Sequence, residues 1–265
     1  ILETFYKAYS VATSGEPGPV FIEVPVNIQL YTGEIDAVLS YESYLSSLEA
    51  TKVTSDLNDQ LDQAVDLLLE AKSPGLFLGW GAVDVRNETQ RIAELLAAPV
   101  STTLQGLSAF PANHALHTGM SFGPAAVPAA TNAFSNCDCM LAIGTRFGEI
   151  GTGSFGVAVP SNLIHIDINP DALNANYPAK VAITANSVDV SAVLLQKLEE
   201  RLKTQNLNNS DRLENVSAQI AKDKQAYIAE WLKHDSKGRV NPLKFFDGLR
   251  AKLPDDGFVV VDDGN

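Results

Sequence analysis

The run Gly75-Leu-Phe-Leu-Gly-Trp-Gly-Ala-Val-Asp84 passes from a short apolar segment through Gly79 and Gly81 into a helix-like pattern. It reads as a strand, a tight turn and a helix start. Such a turn can hold a nucleotide, because glycine takes positive φ and lets the backbone approach a phosphate or ribose. Free N–H groups of the next helix would then point at the anion. A two-glycine turn serves equally well as a purely structural connection, and both readings stand. Two other polar segments, Gly144-Thr-Arg-Phe147 and His165-Ile-Asp-Ile-Asn169, also fall at the ends of apolar runs.

Other chemistry-bearing residues are less promising. His114 and His117 have the i, i+3 spacing of a helical metal pair, but no third ligand signature accompanies them, so they are expected as surface histidines. His165 alternates with apolar neighbours and is expected in a core or crevice. Cys137 and Cys139 share a strand face with Cβ atoms roughly 6.6 Å apart, too far for an unstrained disulfide. Asp138 beside them argues against a reactive thiolate. Gly153-Ser-Phe-Gly156 is not a nucleophile elbow, since Thr152 replaces the first glycine.

With 265 residues and 45% hydrophobic content, the chain can bury a full core in one large or two modest domains. A net charge of −13 opposes nucleic acid and anionic membranes. The two cysteines, expected to stay reduced, fit a cytoplasmic setting, and with no signal-peptide pattern and no apolar run of about 18 residues or more, secretion and membrane spanning are not expected. Ile1 falls inside a helical pattern and Asn265 directly follows a strand-like run, so both ends look cut.

The elements that must position these residues follow from periodicity. A helix is expected over 1–13, broken by Ser14-Gly-Glu-Pro-Gly-Pro19, then a buried strand at Val20-Phe-Ile-Glu-Val24. Thr54 or Ser55 can cap a helix to about Ala71 with Leu57, Leu61, Ala64, Val65, Leu68 and Leu69 as its core stripe. Strands at 75–79, 99–103, 138–144, 162–168 and 181–185 alternate with helices at 86–97, 125–134 and 187–203. That alternation predicts an α/β fold, a parallel sheet with helices on both faces, whose ligands bind beyond the strands' carboxyl ends at a switch point. A polar stretch with a helix near 211–233 follows. Asn241-Pro242 then opens a helix, and Phe258-Val-Val-Val-Asp262 reads as a buried strand.

Taken together, these segments resemble the thiamine-diphosphate enzymes of the acetolactate synthase and pyruvate oxidase superfamily. Gly18-Pro-Val-Phe-Ile-Glu-Val-Pro25 looks like the last strand of the pyrimidine-binding domain, and Gly257-Phe-Val-Val-Val-Asp-Asp-Gly264 like the first strand of the diphosphate-binding domain. Pro99-Val-Ser-Thr-Thr-Leu-Gln-Gly106, Thr118-Gly-Met120, Ala142-Ile-Gly-Thr-Arg-Phe147 and His165-Ile-Asp-Ile168 are similar to the acetolactate synthase large subunit group. The resemblance implies residues 1–30 as the end of the pyrimidine-binding domain and 31–53 as a linker. Residues 54–203 would be a Rossmann-like central domain of the DHS-like NAD/FAD-binding kind, 204–239 a linker with a helix, and 240–265 the start of the diphosphate-binding domain.

It also implies chemistry on small 2-oxo acids, decarboxylation and carboligation with thiamine diphosphate and magnesium, in a homo-oligomer. The activating glutamate of such enzymes precedes Ile1 and their Gly-Asp-Gly motif follows Asn265, so no turnover is expected from these residues alone. Gly264 and Asn265 match the first cofactor-facing turn. Acetolactate synthases hold FAD on the central domain, and several decarboxylases hold ADP or nothing. The matching flavin positions are Gly79, Gly81, Thr103, Leu104, Gly119, Met120, Gly144, Arg146, Asp167 and Ile168. Arg146 would pair with a diphosphate and Asp167 with ribose hydroxyls. Alternatively, Arg146 pairs with a carboxylate such as Glu149 or caps a helix, and Asp167 is a turn residue before Asn169-Pro170. The chain departs from the flavin pattern at Gly148 and Ile150, at Ala185-Asn186, and at Trp80 inside the glycine turn. The alternative to an enzyme is a non-catalytic module that binds ADP, FAD or NAD, or a scaffold that binds nothing.

Overall fold

The computed structural model describes residues 2–33, 40–47, 55–205 and 208–260. Gly264 and Asn265, the Thr54 cap and most of the 31–53 linker lie outside them. Three helices, α1 (Leu2–Thr13), α2 (Val26–Gln29) and α3 (Tyr41–Ser47), precede α4 (Ser55–Glu70). Then β1 (Pro74–Leu78), α5 (Arg86–Leu96), β2 (Val100–Thr102), β3 (His117–Met120), α6 (Pro128–Phe134) and β4 (Cys139–Ile143) alternate. The chain continues through β5 (Asn162–Asp167), β6 (Val181–Thr184), α7 (Ser187–Gln205), α8 (Ser210–Lys233) and α9 (Pro242–Lys252).

All six strands form one parallel sheet in the order β3-β2-β1-β4-β5-β6. The chain winds outward from β1 through β2 to β3, then returns to the other side of β1 at β4. This is the doubly wound order whose ligand crevice opens where the winding reverses. Both sheet faces are covered, so the strands read as unbroken apolar runs. Leu76, Leu78, Leu141, Ile143, Ile164 and Ile166 face a core shared with α4, α5 and α7, including Leu61, Val65, Ile92 and Leu194. The alternate residues Phe77, Met140, Ala142 and Leu163 face a second, aromatic core with Phe122, Phe134 and Phe147.

Among the described residues, two expected strands do not form, and 261–262 of the second lie outside those residues. Residues 18–25 take no regular structure and Phe21 is 88% exposed, while 257–260 are likewise irregular, with Phe258 and Val260 at 95%. A strand exists only when a neighbour takes up its N–H and C=O groups, and neither segment meets one among the described residues. In the other direction, β3 had no distinct apolar alternation to announce it. Helix α6 begins at Pro128, three residues later than expected, because Pro128 at its first turn fixes the start. At the far end, the Asn241 side chain accepts from the N–H groups of Leu243 and Lys244 and caps α9 as expected.

Candidate functional site

The carboxyl ends of β1 and β4 meet through glycine. A Cβ on Gly79 would fall on the Gly144 carbonyl oxygen, one on Gly81 would lie 2.8 Å from Gly144 Cα, and Gly144 itself has φ of 60°. Close approach therefore demands glycine at 79 and 81, while backbone conformation also demands it at 144. Neither Gly79 nor Gly81 has positive φ, which corrects the expectation that this turn needed it.

The expected free donors are also corrected. The Gly79 N–H donates to Ile143 O at 2.9 Å, Gly81 N–H to Gly144 O at 3.2 Å, and Ala82 N–H to Gly79 O at 3.1 Å. The reason is local: Trp80–Val85 is a 3₁₀ helix, whose i→i+3 bonds take up a donor that an α-helix would leave free, and the two turns bond to each other.

Beyond Gly144, the chain is clamped so that Arg146 projects outward. Phe147 is buried with φ of 50°, and its ring lies 5.4 Å from Phe77, 5.1 Å from His165 and 5.2 Å from Tyr177. His165 Nε2 lies 2.8 Å from Thr145 O, a geometry that makes this nitrogen the protonated one. Its Nδ1 has no partner among the described residues. Burial holds His165 below the ordinary histidine pKa, so it sits as a neutral core histidine. The Asn176 amide donates to the carbonyls of Arg146 and Phe147 at 3.2 Å each.

Asp167 ends β5, largely buried, and accepts from the Asn169 N–H at 2.9 Å. Asn169 in turn accepts from the Asp171 N–H and starts the turn Pro170–Ala172. Its side-chain amide donates to Glu16 Oε2 at 2.6 Å, and Glu16 Oε1 lies 3.3 Å from the Arg146 guanidinium. The carboxylate partner of Arg146 is thus Glu16 rather than Glu149. Arg146 is largely and Glu16 partly exposed, so the pair contributes only about 0–1 kcal/mol to stability and acts by placing charge.

These ends surround a cavity of about 770 Å³, bordered by Gly81, Thr103, Gly144, Arg146, Asp167 and Ile168 from the expected set. Glu16, Trp80, Asp84, Glu149 and Ser187 border it as well. Gly79 packs beneath it against Gly144, whereas Leu104, just past β2, and Gly119 and Met120 on β3 do not line it. Ser187, at the start of α7, donates to Gly81 O at 2.5 Å. Sequence reasoning took Glu16 only as part of a helix-breaking run and gave Asn176 and Ser187 no role. Nothing in their local pattern ties them to a crevice.

The remaining candidates settle elsewhere. His114 lies 3.2 Å from Glu94 and packs edge-to-face against Phe110, and His117 is buried at the start of β3, so neither is the surface histidine expected. Burial and Lys224 push the His117 pKa down. Cys137 and Cys139 are free thiols whose pKa values burial raises to about 12, consistent with a structural role. Asp138 accepts from the N–H groups of Lys72 and Ser73 and ties the start of β4 to β1.

Residues 61–195 match the family described as "Thiamine pyrophosphate enzyme, central domain". The chain is 36% identical over 208 residues to the probable acetolactate synthase large subunit of Methanocaldococcus jannaschii, covering 75% of this chain and 34% of that protein. It is 34% identical over 199 residues to the acetolactate synthase large subunit of Corynebacterium glutamicum, covering 74% and 31% respectively. To the acetolactate synthase isozyme 2 large subunit of Escherichia coli it is 33% identical over 198 residues, 73% and 34%. The chain therefore spans about a third of the length of these curated relatives. The match over 61–195, about half the chain and all six strands, establishes that it belongs to the thiamine pyrophosphate enzyme family through the central domain.

Proposed function

We propose that this chain is the central portion of a thiamine-diphosphate-dependent enzyme that decarboxylates a 2-oxo acid and joins the product to an acceptor, as an acetolactate synthase does. The observation that carries the reading is the coincidence of the family match over 61–195 with a doubly wound sheet in the order β3-β2-β1-β4-β5-β6. On this reading, 54–203 is the central domain, 1–30 and 240–265 belong to the two cofactor-binding domains, and 31–53 and 204–239 link them. Thiamine diphosphate, held with magnesium, supplies the electron sink for decarboxylation. Gly264 and Asn265 are its proposed contacts, and no step is assigned to the described residues.

The same proposal includes a homo-oligomeric cytoplasmic enzyme with a small-molecule substrate and no nucleic-acid or membrane partner. The net charge of −13 supports it, and no described helix is long and apolar enough to cross a membrane. FAD or ADP on the central domain is the finer cofactor reading, and the residues present do not fit either diphosphate. The N–H groups at 79, 81 and 82 are already bonded, and Arg146 faces Glu16.

The test is acetolactate formation from pyruvate by the full-length protein that carries these residues. Turnover that requires both thiamine diphosphate and magnesium is expected, and none from residues 1–265 alone. A full-length protein that neither binds thiamine diphosphate nor consumes a 2-oxo acid would overturn the reading.

A further inference from the structure

We propose that Glu16 is the specificity-determining residue of the β1–β4 crevice. Its carboxylate takes the place of a ligand phosphate at Arg146 and closes the crevice to nucleoside diphosphates such as ADP and the diphosphate of FAD. This rests on the crevice geometry and is independent of the 2-oxo acid reading.

Three observations converge. First, Glu16 is held from two separate strand ends: its Oε1 by Arg146 after β4 at 3.3 Å and its Oε2 by Asn169 after β5 at 2.6 Å. Second, it is presented rather than merely near. The segment caps α1, with the Ser14 N–H on Ser10 O and the Gly18 N–H on Ala12 O, and Gly15 turns the chain at φ of 60°. Pro17 and Pro19 follow with fixed φ. A carboxylate tethered in this way competes as an internal ligand at high effective concentration.

Third, the remaining lining offers an incoming phosphate no second cation. Glu16, Asp84, Glu149 and Asp167 border the cavity against Arg146, with no lysine or histidine. The N–H groups of Gly79, Gly81 and Ala82 are bonded to protein carbonyls. A phosphate that displaced Glu16 would still meet the Asp84, Glu149 and Asp167 carboxylates that border the same cavity.

The experiment is calorimetric titration of ADP, with adenosine as the uncharged control, into the full-length protein, Glu16→Gln and Glu16→Gln/Arg146→Gln. Glu16→Gln keeps an amide for its neighbours and removes the charge, and its exposed loop position spares the fold. Glu16→Lys is a second variant with the same expected direction. ADP affinity is expected to rise at least tenfold in both single variants, to stay at the parental level in the double variant, and adenosine affinity to be unchanged throughout. Equal ADP affinity in the parent and both single variants overturns the proposal. So does a gain that survives Arg146→Gln, or one that adenosine shares. Thiamine-diphosphate-dependent turnover, measured on the same preparations, reports on the enzyme reading separately.

Discussion

His165 shows how a single side chain sets both the local geometry of the crevice and its response to pH. Its Nε2 anchors Thr145 O, one residue before Arg146, while its ring packs edge-on against Phe147. Burial lowers its pKa, and burial together with Lys224 lowers that of His117. Both are neutral when folded but take up protons at the ordinary value of about 6.5 when unfolded. Below that value the unfolded state binds more protons, so stability is full above about pH 6.5 and falls as the pH drops through the depressed folded values. The urea midpoint is expected to be lower at about pH 5.5 than at about pH 7.5, with a smaller drop in His117→Gln/His165→Gln. A midpoint that is flat or rises on acidification over that interval would contradict this assignment.

The glycines make a second residue-scale case. Gly144→Ala adds an overpacking cost of about 1–3 kcal/mol to a left-handed backbone penalty of about 1–2 kcal/mol, because its Cβ would strike the Gly81 backbone. At Gly148, a Cβ meets no atom within 4 Å and φ is not in the strained region. Gly148→Ala is expected to stay within about 0.5 kcal/mol of the parent in denaturant titrations. Equal losses at the two positions would show that the glycine contact between β1 and β4 is not what holds the turn. At this scale, Arg146 and Asp167 were legible because each follows an apolar run, where α/β sheets place their ligands. Glu16 was not, because its partners are remote in sequence and its own neighbours signal only a helix end.

At the scale of elements, periodicity identified α1, α4 to α9 and five of the six strands, since fully buried parallel strands show as short apolar runs; it missed the short α2 and α3, which lie where 26–53 shows no clear period. It overlooked β3, where His117-Thr-Gly-Met120 carries little apolar signal at the sheet edge. It also overread 20–24 and 258–260, where β-branched and aromatic residues were taken for strands although composition cannot supply a pairing partner. Helix α8 was placed correctly, yet it does more than link. It packs on α6, with Ile220 its one buried side chain and Asp223 accepting from the Asn132 amide at 3.1 Å. Ile220→Ala is expected to cost about 2–4 kcal/mol, in the range of buried aliphatic truncations. Amide exchange in α8 should rise while β1 and β4 stay protected. Loss of protection in the central strands as well would mean that α8 and the sheet unfold as one unit.

The whole molecule divides by burial. The buried apolar core runs from Leu61 to Ile220, while α1, α2 and α9 bury no residue. Exposed aromatic and aliphatic side chains gather in the outer segments, among them Phe21, Leu30, Tyr31, Phe245, Phe246 and Phe258. Opening free energy scales with the buried contacts that an opening must break, so these outer segments open first and the sheet last. Limited proteolysis of the chain is therefore expected to leave a resistant core that contains at least 61–220, identifiable by intact mass. Early cleavage between β1 and β6 would contradict that hierarchy. The link that crosses from the outer segments to the crevice is Glu16, through the weak exposed contacts to Arg146 and Asn169. A core trimmed of α1 and its following loop loses that carboxylate but keeps Arg146. Its ADP affinity should rise toward that of Glu16→Gln, so a trimmed core that binds ADP no better than the intact chain would leave Glu16 with no part in closing the crevice.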